Sequence, residues 1–218
     1  APVTTPLSVN GNVGTIVWQF DGVELTATYE LVQSDSGRED TGKVTYQFRN
    51  LGGTSRTVSL KSGLDTMIGG NDDAKLATGA GIIDVESGFG TGFASPVPDS
   101  WQALERSNLG DPGLVAQGTF AGGGATRPDR FVVGDYFSHL GYGIPFDYTP
   151  DGQAYGDSAV AIWWLDRLLP GYGTLSFVML YGLGNLTTVV GDLDVSVSAP
   201  GQLDLDGAGF TPNPFTVL

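Results

Sequence analysis

Glycine and proline constrain the fold of this chain most, because 34 Gly and 12 Pro are scattered through its 218 residues. Each Gly or Pro in the interior of a helix destabilises that helix, by about 1 and 3 kcal/mol respectively. No stretch keeps a 3.6-residue apolar period for more than two turns, and the apolar content of 40% argues against disorder. The sequence therefore predicts a folded chain built mostly of β-strands.

Two pairs of segments near the N-terminus have the alternating pattern of β-hairpins. Residues 14–20 and 23–31 alternate apolar and polar side chains on either side of Asp21 and Gly22. This dipeptide readily takes the positive φ angles of a type I′ turn. Residues 43–49 and 56–60 flank a Gly-containing turn and predict a second hairpin.

Further strand patterns follow along the chain, at residues 113–120, 130–134, 158–165, 173–183, 186–198 and 201–205. Between residues 63 and 125 the sequence is rich in Gly, Asp and Pro, and its one helical candidate is 100–106, which Asp99 or Ser100 could cap. About ten strands joined by turns predict a single antiparallel β-sandwich with long Gly/Asp-rich loops and extended terminal strands.

No linker divides the chain and no long period repeats, so we expect one domain. We assign residues 1–12 to an extended N-terminal arm, 13–209 to the sandwich and 210–218 to an apolar C-terminal strand. That last strand either folds back onto its own sandwich or pairs with a neighbouring molecule. The candidate self-association residues are Pro2, Val3, Phe210, Pro214, Phe215, Val217 and Leu218.

The charge of the chain excludes several partners. It carries 24 acidic and 10 basic residues, a formal net charge of −14, which repels the phosphates of nucleic acid. No apolar run approaches the roughly 20 residues that a membrane-spanning helix needs, so we expect no membrane insertion. The start at Ala1 is typical of a chain whose signal peptide has been removed, and it predicts an extracellular or cell-surface location.

Catalytic chemistry has few candidate residues. There is no Cys, and the single His139 is not accompanied by a Gly-x-Ser-x-Gly motif, which argues against thiol chemistry, zinc sites of the usual Cys and His type and a serine triad. Glycoside hydrolysis by two carboxylates stays open. Its candidates, for which no spacing selects a pair, are Asp84, Glu86, Glu105, Asp129, Asp135 and Asp157. We therefore expect a protein that is not an enzyme.

Calcium is the one cofactor that the sequence suggests. Calcium sites use carboxylates and carbonyls on turning loops. Asn71, Asp72 and Asp73 follow two glycines, and Asp204 and Asp206 precede another. Both segments lack the later ligands of an EF-hand. The alternative for each is a solvated turn stabilised by its own Asx side chain.

Exposed aromatic residues offer a second kind of site. Trp163 and Trp164 are consecutive in an alternating strand, so one indole should face the core and the other should face outward. With Trp164 exposed and Tyr142 beside it, the pair would form a platform for sugar rings. The alternative is an outer face that a loop covers.

Several motifs resemble a domain of large secreted bacterial and archaeal surface proteins. They lie at residues 46–53, 56–60, 64–72, 118–131, 157–171 and 181–184, and the resemblance spans residues 13–218. It implies a β-sandwich of the mutarotase-like type and an extracellular location.

The resemblance also suggests a role for the C-terminal segment. In those larger proteins a segment like 210–217 leads into a following immunoglobulin-like adhesion domain, whereas this sequence ends at Leu218. We therefore expect a non-catalytic structural subunit of a self-assembling filament or surface layer, joined by exchange of terminal strands. Two alternatives stay open: a monomeric carbohydrate-binding or adhesion module, and a carboxylate-based hydrolase or sugar isomerase.

Overall fold

The computed structural model describes residues 3–33, 39–137, 145–183, 204–205 and 210–211. Within these residues the regular elements are fifteen β-strands, with no α-helix. The strands are β1 (Val3–Asn10), β2 (Val13–Phe20), β3 (Val23–Gln33), β4 (Glu39–Asn50), β5 (Arg56–Asp65), β6 (Lys75–Thr78), β7 (Gly81–Ile83), β8 (Ser87–Gly90), β9 (Ser100–Leu104), β10 (Val115–Thr119), β11 (Arg130–Asp135), β12 (Ser158–Leu169), β13 (Thr174–Leu183), β14 (Asp204–Leu205) and β15 (Phe210–Thr211). The described part of the chain contains no helix long and apolar enough to cross a membrane.

Two antiparallel sheets form the body of the protein. The large sheet has nine strands in the order β1-β2-β3-β4-β13-β10-β9-β6-β7, and the small sheet has four in the order β5-β12-β11-β8. Strands β14 and β15 make a separate two-stranded pair. The two sheets pack as a sandwich, so the prediction of an all-β antiparallel sandwich is confirmed.

The first predicted hairpin is confirmed. Strands β2 and β3 pair in antiparallel register up to Phe20 and Val23, which face each other across a two-residue turn. Asp21 and Gly22 have φ angles of 45° and 73°, the positive values of a type I′ turn.

The second predicted hairpin is wrong. Strand β4 pairs with β3 and β13 in the large sheet, whereas β5 pairs with β12 in the small one. The buried side chain of Asn50 stabilises the crossing: its Nδ2 donates to the carbonyls of Thr54 (2.8 Å) and Pro170 (3.1 Å), and its Oδ1 accepts the Gly52 N–H (3.0 Å). Alternation shows that each strand has one buried face, but it does not show which sheet the strand joins.

The predicted helix at 100–106 is also wrong. This segment is β9, an inner strand of the large sheet between β10 and β6. The last four residues of β9 are all buried, so this inner strand is covered on both faces and has no polar face whose period could reveal it in the sequence.

The predicted N-terminal arm belongs to the large sheet. Strand β1 pairs with β2 and forms one edge of that sheet, with register shifts that mark bulges or irregular pairing. All eight of its side chains are exposed.

Aromatic side chains dominate the core between the sheets. Trp164 stacks on Phe177 with ring centroids 5.3 Å apart, and Trp101 stacks on Phe131 at 5.9 Å. Trp163 points to the opposite face of the small sheet, where it belongs to a second cluster with Val132, Ala159 and Ala161. Strand β12 of the small sheet is therefore buried on both faces over residues 158–164.

The contact between Trp101 and Gly118 gives a stability prediction. A Cβ at position 118 would overlap the indole of Trp101. We expect Gly118→Ala to destabilise the fold by about 1–3 kcal/mol, as overpacking does, and to lower Tm by roughly 2–4 °C for each kcal/mol. Thermal unfolding followed by circular dichroism measures the change.

Gly52→Ala is the control, because a Cβ there would be 3.8 Å from the Asn50 side chain, an ordinary contact. Equal losses of Tm in the two variants would contradict the packing that we describe around Trp101.

Candidate metal centre

Three carboxylates converge at one end of the small sheet. Asp65 is the last residue of β5, Asp72 lies in the loop that follows, and Asp157 immediately precedes β12. One carboxylate oxygen from each lies within 4.8 Å of the other two. Asp72 is one of the predicted metal ligands, whereas Asp65 was not predicted and Asp157 was a candidate only for hydrolysis.

Buried hydrogen bonds hold the three backbones together. Thr66 and Ser158 are fully buried. The Thr66 N–H donates to the Ser158 carbonyl (3.0 Å), and Thr66 Oγ1 lies 2.8 Å from both that carbonyl oxygen and the Ser158 hydroxyl. The N–H and hydroxyl of Ser158 donate to the carbonyl of Asp72, at 2.8 and 3.2 Å. Each aspartate therefore belongs to this network or directly precedes one of its members.

The three carboxylates have no compensating positive charge. No Lys or Arg in the described ranges forms an ion pair with Asp65, Asp72 or Asp157. The Oδ1 atom of Asp157 is buried and accepts no hydrogen bond from the described residues. Burial raises the pKa of Asp157, and the charges of Asp72, Asp65 and Asp135 raise that pKa further.

A fourth carboxylate holds the backbone from the neighbouring strand. Asp135 is the last residue of β11, and its Oδ2 accepts the N–H groups of Gly156 (3.2 Å) and Asp157 (3.3 Å). Asp135 therefore fixes the segment that presents Asp157.

The arrangement fits a calcium ion. Calcium binds oxygen ligands at 2.3–2.6 Å, so oxygens around one ion are at most about 5 Å apart. The oxygens of Asp65, Asp72 and Asp157 meet this limit. Carbonyl groups and water would complete the six to eight ligands that calcium takes.

The structure does not bring the other two predicted loop ligands to this cluster. Asn71 donates through Nδ2 to the Glu105 carbonyl (2.8 Å) and accepts the Asp73 N–H at Oδ1 (3.1 Å). Asp73 forms an ion pair with Lys75 at 2.8 Å. These contacts are those of the Asx turn that the sequence left as the alternative.

The second predicted calcium segment is described only in its backbone. Asp204 lies in β14, opposite Thr211 of β15. The side chain of Asp204 and the whole of Asp206 lie outside the described residues.

The predicted sugar platform on Trp164 is wrong. This side chain is fully buried between the sheets, and its Nε1 donates to the Thr126 carbonyl at 2.9 Å. Trp163 is the outward-facing indole, and it too is fully buried. Tyr142 lies outside the described residues.

The predicted self-association residues are only partly described. Val3 is exposed in the edge strand β1, and the backbone of Phe210 lies in β15. The others, Pro2, Pro214, Phe215, Val217 and Leu218, lie outside the described residues.

Two of the other carboxylates considered for hydrolysis, Glu86 and Asp129, have structural partners. Glu86 is buried, and its carboxylate accepts the backbone N–H of Asp135 (3.0 Å) and the hydroxyl of Tyr148. Asp129 pairs with Arg167 at 2.9 Å. His139 lies outside the described residues.

Comparison with known proteins gives matches among solved structures only. No protein-family model and no curated protein matches the chain. A galactose mutarotase related enzyme from Lactobacillus acidophilus matches with a TM-score of 0.49 and 6% identity, over 85% of this chain and 72% of that one. A putative aldose 1-epimerase from Escherichia coli matches with a TM-score of 0.44 and 9% identity, over 81% and 67%. Another from Klebsiella pneumoniae matches at 0.39 and 11%, over 81% and 52%.

These matches correct two predictions. The matched structures are named as mutarotase-related or epimerase proteins, which contradicts the expected non-catalytic filament subunit and the expectation that the chain is not an enzyme. Like this chain, the matched structures are all-β sandwiches, and no family match supports a domain of secreted surface proteins. The likeness concerns the fold, so the chemistry of this chain has to be derived from its own residues.

Repulsion among the three carboxylates gives a prediction for the metal-free protein. A carboxyl whose pKa is raised on folding lowers stability at pH values above that pKa, because the folded state holds its proton more tightly than the unfolded state does. In chelator at pH 7 we expect Asp157→Asn to raise Tm, since the neutral amide removes the charge that burial and the neighbouring carboxylates destabilise.

Asp73→Asn is the control, since it makes the same charge change beside Lys75 and outside the cluster. It should leave Tm unchanged or slightly lower. A fall in Tm for Asp157→Asn in chelator would show that the three charges do not repel one another as described.

Proposed function

We propose that this chain is a calcium-binding β-sandwich domain whose cation joins Asp65, Asp72 and Asp157. One observation carries the proposal: three carboxylates from separate segments converge within 4.8 Å, and no described cation is paired with them. Such a group is costly without a cation, because like charges in a partly buried place repel one another.

The donor set favours calcium over other metals. All three side chains offer hard oxygen ligands, which suit calcium, magnesium and manganese, whereas zinc and copper sites favour nitrogen or sulfur. Asp65 and Asp72 are exposed, and magnesium demands stricter octahedral geometry than such a surface group supplies. Flexible coordination with added water suits calcium best.

Binding would have a structural consequence. The cation would connect the end of β5 and the loop after it to the start of β12. Strand β12 lies between β5 and β11 in the small sheet. It would replace repulsion by attraction among three segments that pack against the same buried Thr66–Ser158 pair.

We also keep an extracellular location as part of the proposal. Calcium sites of extracellular modules bind with dissociation constants of roughly 0.1–1 mM, which matches an open site made of three side chains and water.

The test is thermal unfolding and calorimetric titration of the whole chain with calcium and with chelator. At a hundredfold excess over Kd, calcium should stabilise the fold by about 2.7 kcal/mol, which raises Tm by roughly 5–10 °C. Asp72→Asn should abolish most of this rise, whereas Asp73→Asn should keep it.

The comparison of these two neighbouring aspartates is the sharpest part of the test. If the rise of Tm with calcium were lost in Asp73→Asn and kept in Asp72→Asn, the ion would bind at the turn of residues 71–73, and the three-segment site would be contradicted. A wild-type Tm that is equal in calcium and chelator would contradict the proposed function.

A further inference from the structure

Two positive charges on the outer face of the small sheet are unpaired, although the protein is strongly acidic. Seven of the described Lys and Arg residues form an ion pair with a carboxylate; they are Lys43, Arg49, Arg56, Lys75, Arg106, Arg127 and Arg167. Among the residues that the structure describes, only Lys61 and Arg130 form no such pair. With 24 acidic residues against 10 basic ones in the chain, two cations without an ion pair on strands that flank β12 require an explanation.

The strand register places both cations beside one indole. Trp163 of β12 lies opposite Lys61 of β5 on one side and opposite Arg130 of β11 on the other. Lys61 Nζ is 5.5 Å from the centre of the Trp163 ring, and Arg130 Cζ is 4.8 Å from it. The guanidinium also lies 4.9 Å from the ring of Phe93. Lysine, indole, guanidinium and phenyl group thus form a row across the sheet.

Aromatic contacts orient these cations but leave hydrogen-bonding capacity unused. A ring attracts a cation through its face and accepts none of the strong in-plane hydrogen bonds that a guanidinium donates. The Nε of Arg130 is buried and finds no acceptor in the described residues. Lys61 Nζ donates to one carbonyl, that of Pro145, at 3.2 Å, which leaves two of its three donors for another partner.

The surrounding residues fix this row in place. Trp163 is fully buried, and its Nε1 donates to the Phe146 carbonyl at 2.9 Å. Residues 145 and 146 therefore hold both Trp163 and Lys61. Burial lowers the pKa of the Arg130 guanidinium, and the nearby charge of Asp147 partly opposes this lowering without forming an ion pair with Arg130. Both cations are partly buried and neither forms an ion pair among the described residues, so each can accept an oxyanion.

We infer that Lys61 and Arg130 form an anion site on the outer face of the small sheet, which binds an oxyanion such as a carboxylate, sulfate or phosphate group. Arginine presents a planar fork that matches such groups, and lysine adds a second charge on the far side of Trp163. This site is independent of the proposed calcium centre, since it shares no residue with it.

The experiment is calorimetric titration of the full chain with sodium sulfate, sodium phosphate and sodium glucuronate, at constant ionic strength in chloride. Glucose serves as the uncharged probe. We expect saturable binding of at least one oxyanion and none of glucose. The oxyanion with the lowest Kd shows whether the site prefers a sulfate, a phosphate or a carboxylate group.

Variants locate the binding. Lys61→Gln and Arg130→Gln should each weaken the affinity roughly 10- to 100-fold, the loss expected for one hydrogen bond to a charged group. Lys43→Gln removes the same charge from a cation that is paired with Glu30 in the large sheet, and it should leave the affinity unchanged. Circular dichroism of each variant establishes that it is folded.

Arg130→Lys keeps the test decisive if Arg130→Gln does not fold. It preserves the charge and loses the fork, so it should still weaken binding. Absence of saturable binding for all three oxyanions would overturn the inference. So would an affinity that is the same in wild type, Lys61→Gln and Arg130→Lys, or one that falls equally in Lys43→Gln.

Discussion

The hydrogen bonds among Thr66, Ser158 and the carbonyl of Asp72 are the contacts on which this end of the molecule depends. They join β5, the loop after it and β12 without any side-chain charge, and both hydroxyl residues are fully buried. Because Asp65 precedes Thr66 and Asp157 precedes Ser158, the same contacts force three carboxylates together. The repulsion among these carboxylates destabilises the packing that brings them together, and a bound cation would cancel this repulsion.

The small sheet thus carries two uncompensated charge groups of opposite sign. The three carboxylates lie at the end of β5, in the loop after it and just before β12, while Lys61 and Arg130 lie farther along the same sheet, on either side of Trp163. They do not neutralise each other, although most described cations elsewhere pair with a carboxylate. Both groups therefore fit ligand sites better than internal ion pairs.

Local patterns predicted the fold better than they predicted the site. Alternation and the Asp21-Gly22 turn gave the first hairpin correctly. They could not show that β5 joins the other sheet, because that choice depends on the buried corner at Asn50. The metal centre was partly missed for a similar reason. Asp72 follows two glycines, a pattern typical of a ligand loop. Asp65 is the last residue of one strand and Asp157 precedes another, and only the pairing of these strands brings the two residues together.

Diffraction from crystals grown with a lanthanide in place of calcium would test the three-carboxylate site most directly, because the anomalous signal locates the ion without reference to stability. We expect a strong peak about 2.3–2.6 Å from oxygens of Asp65, Asp72 and Asp157. A map with no peak among these three side chains, or with its strong peaks only at other carboxylates, would contradict the site.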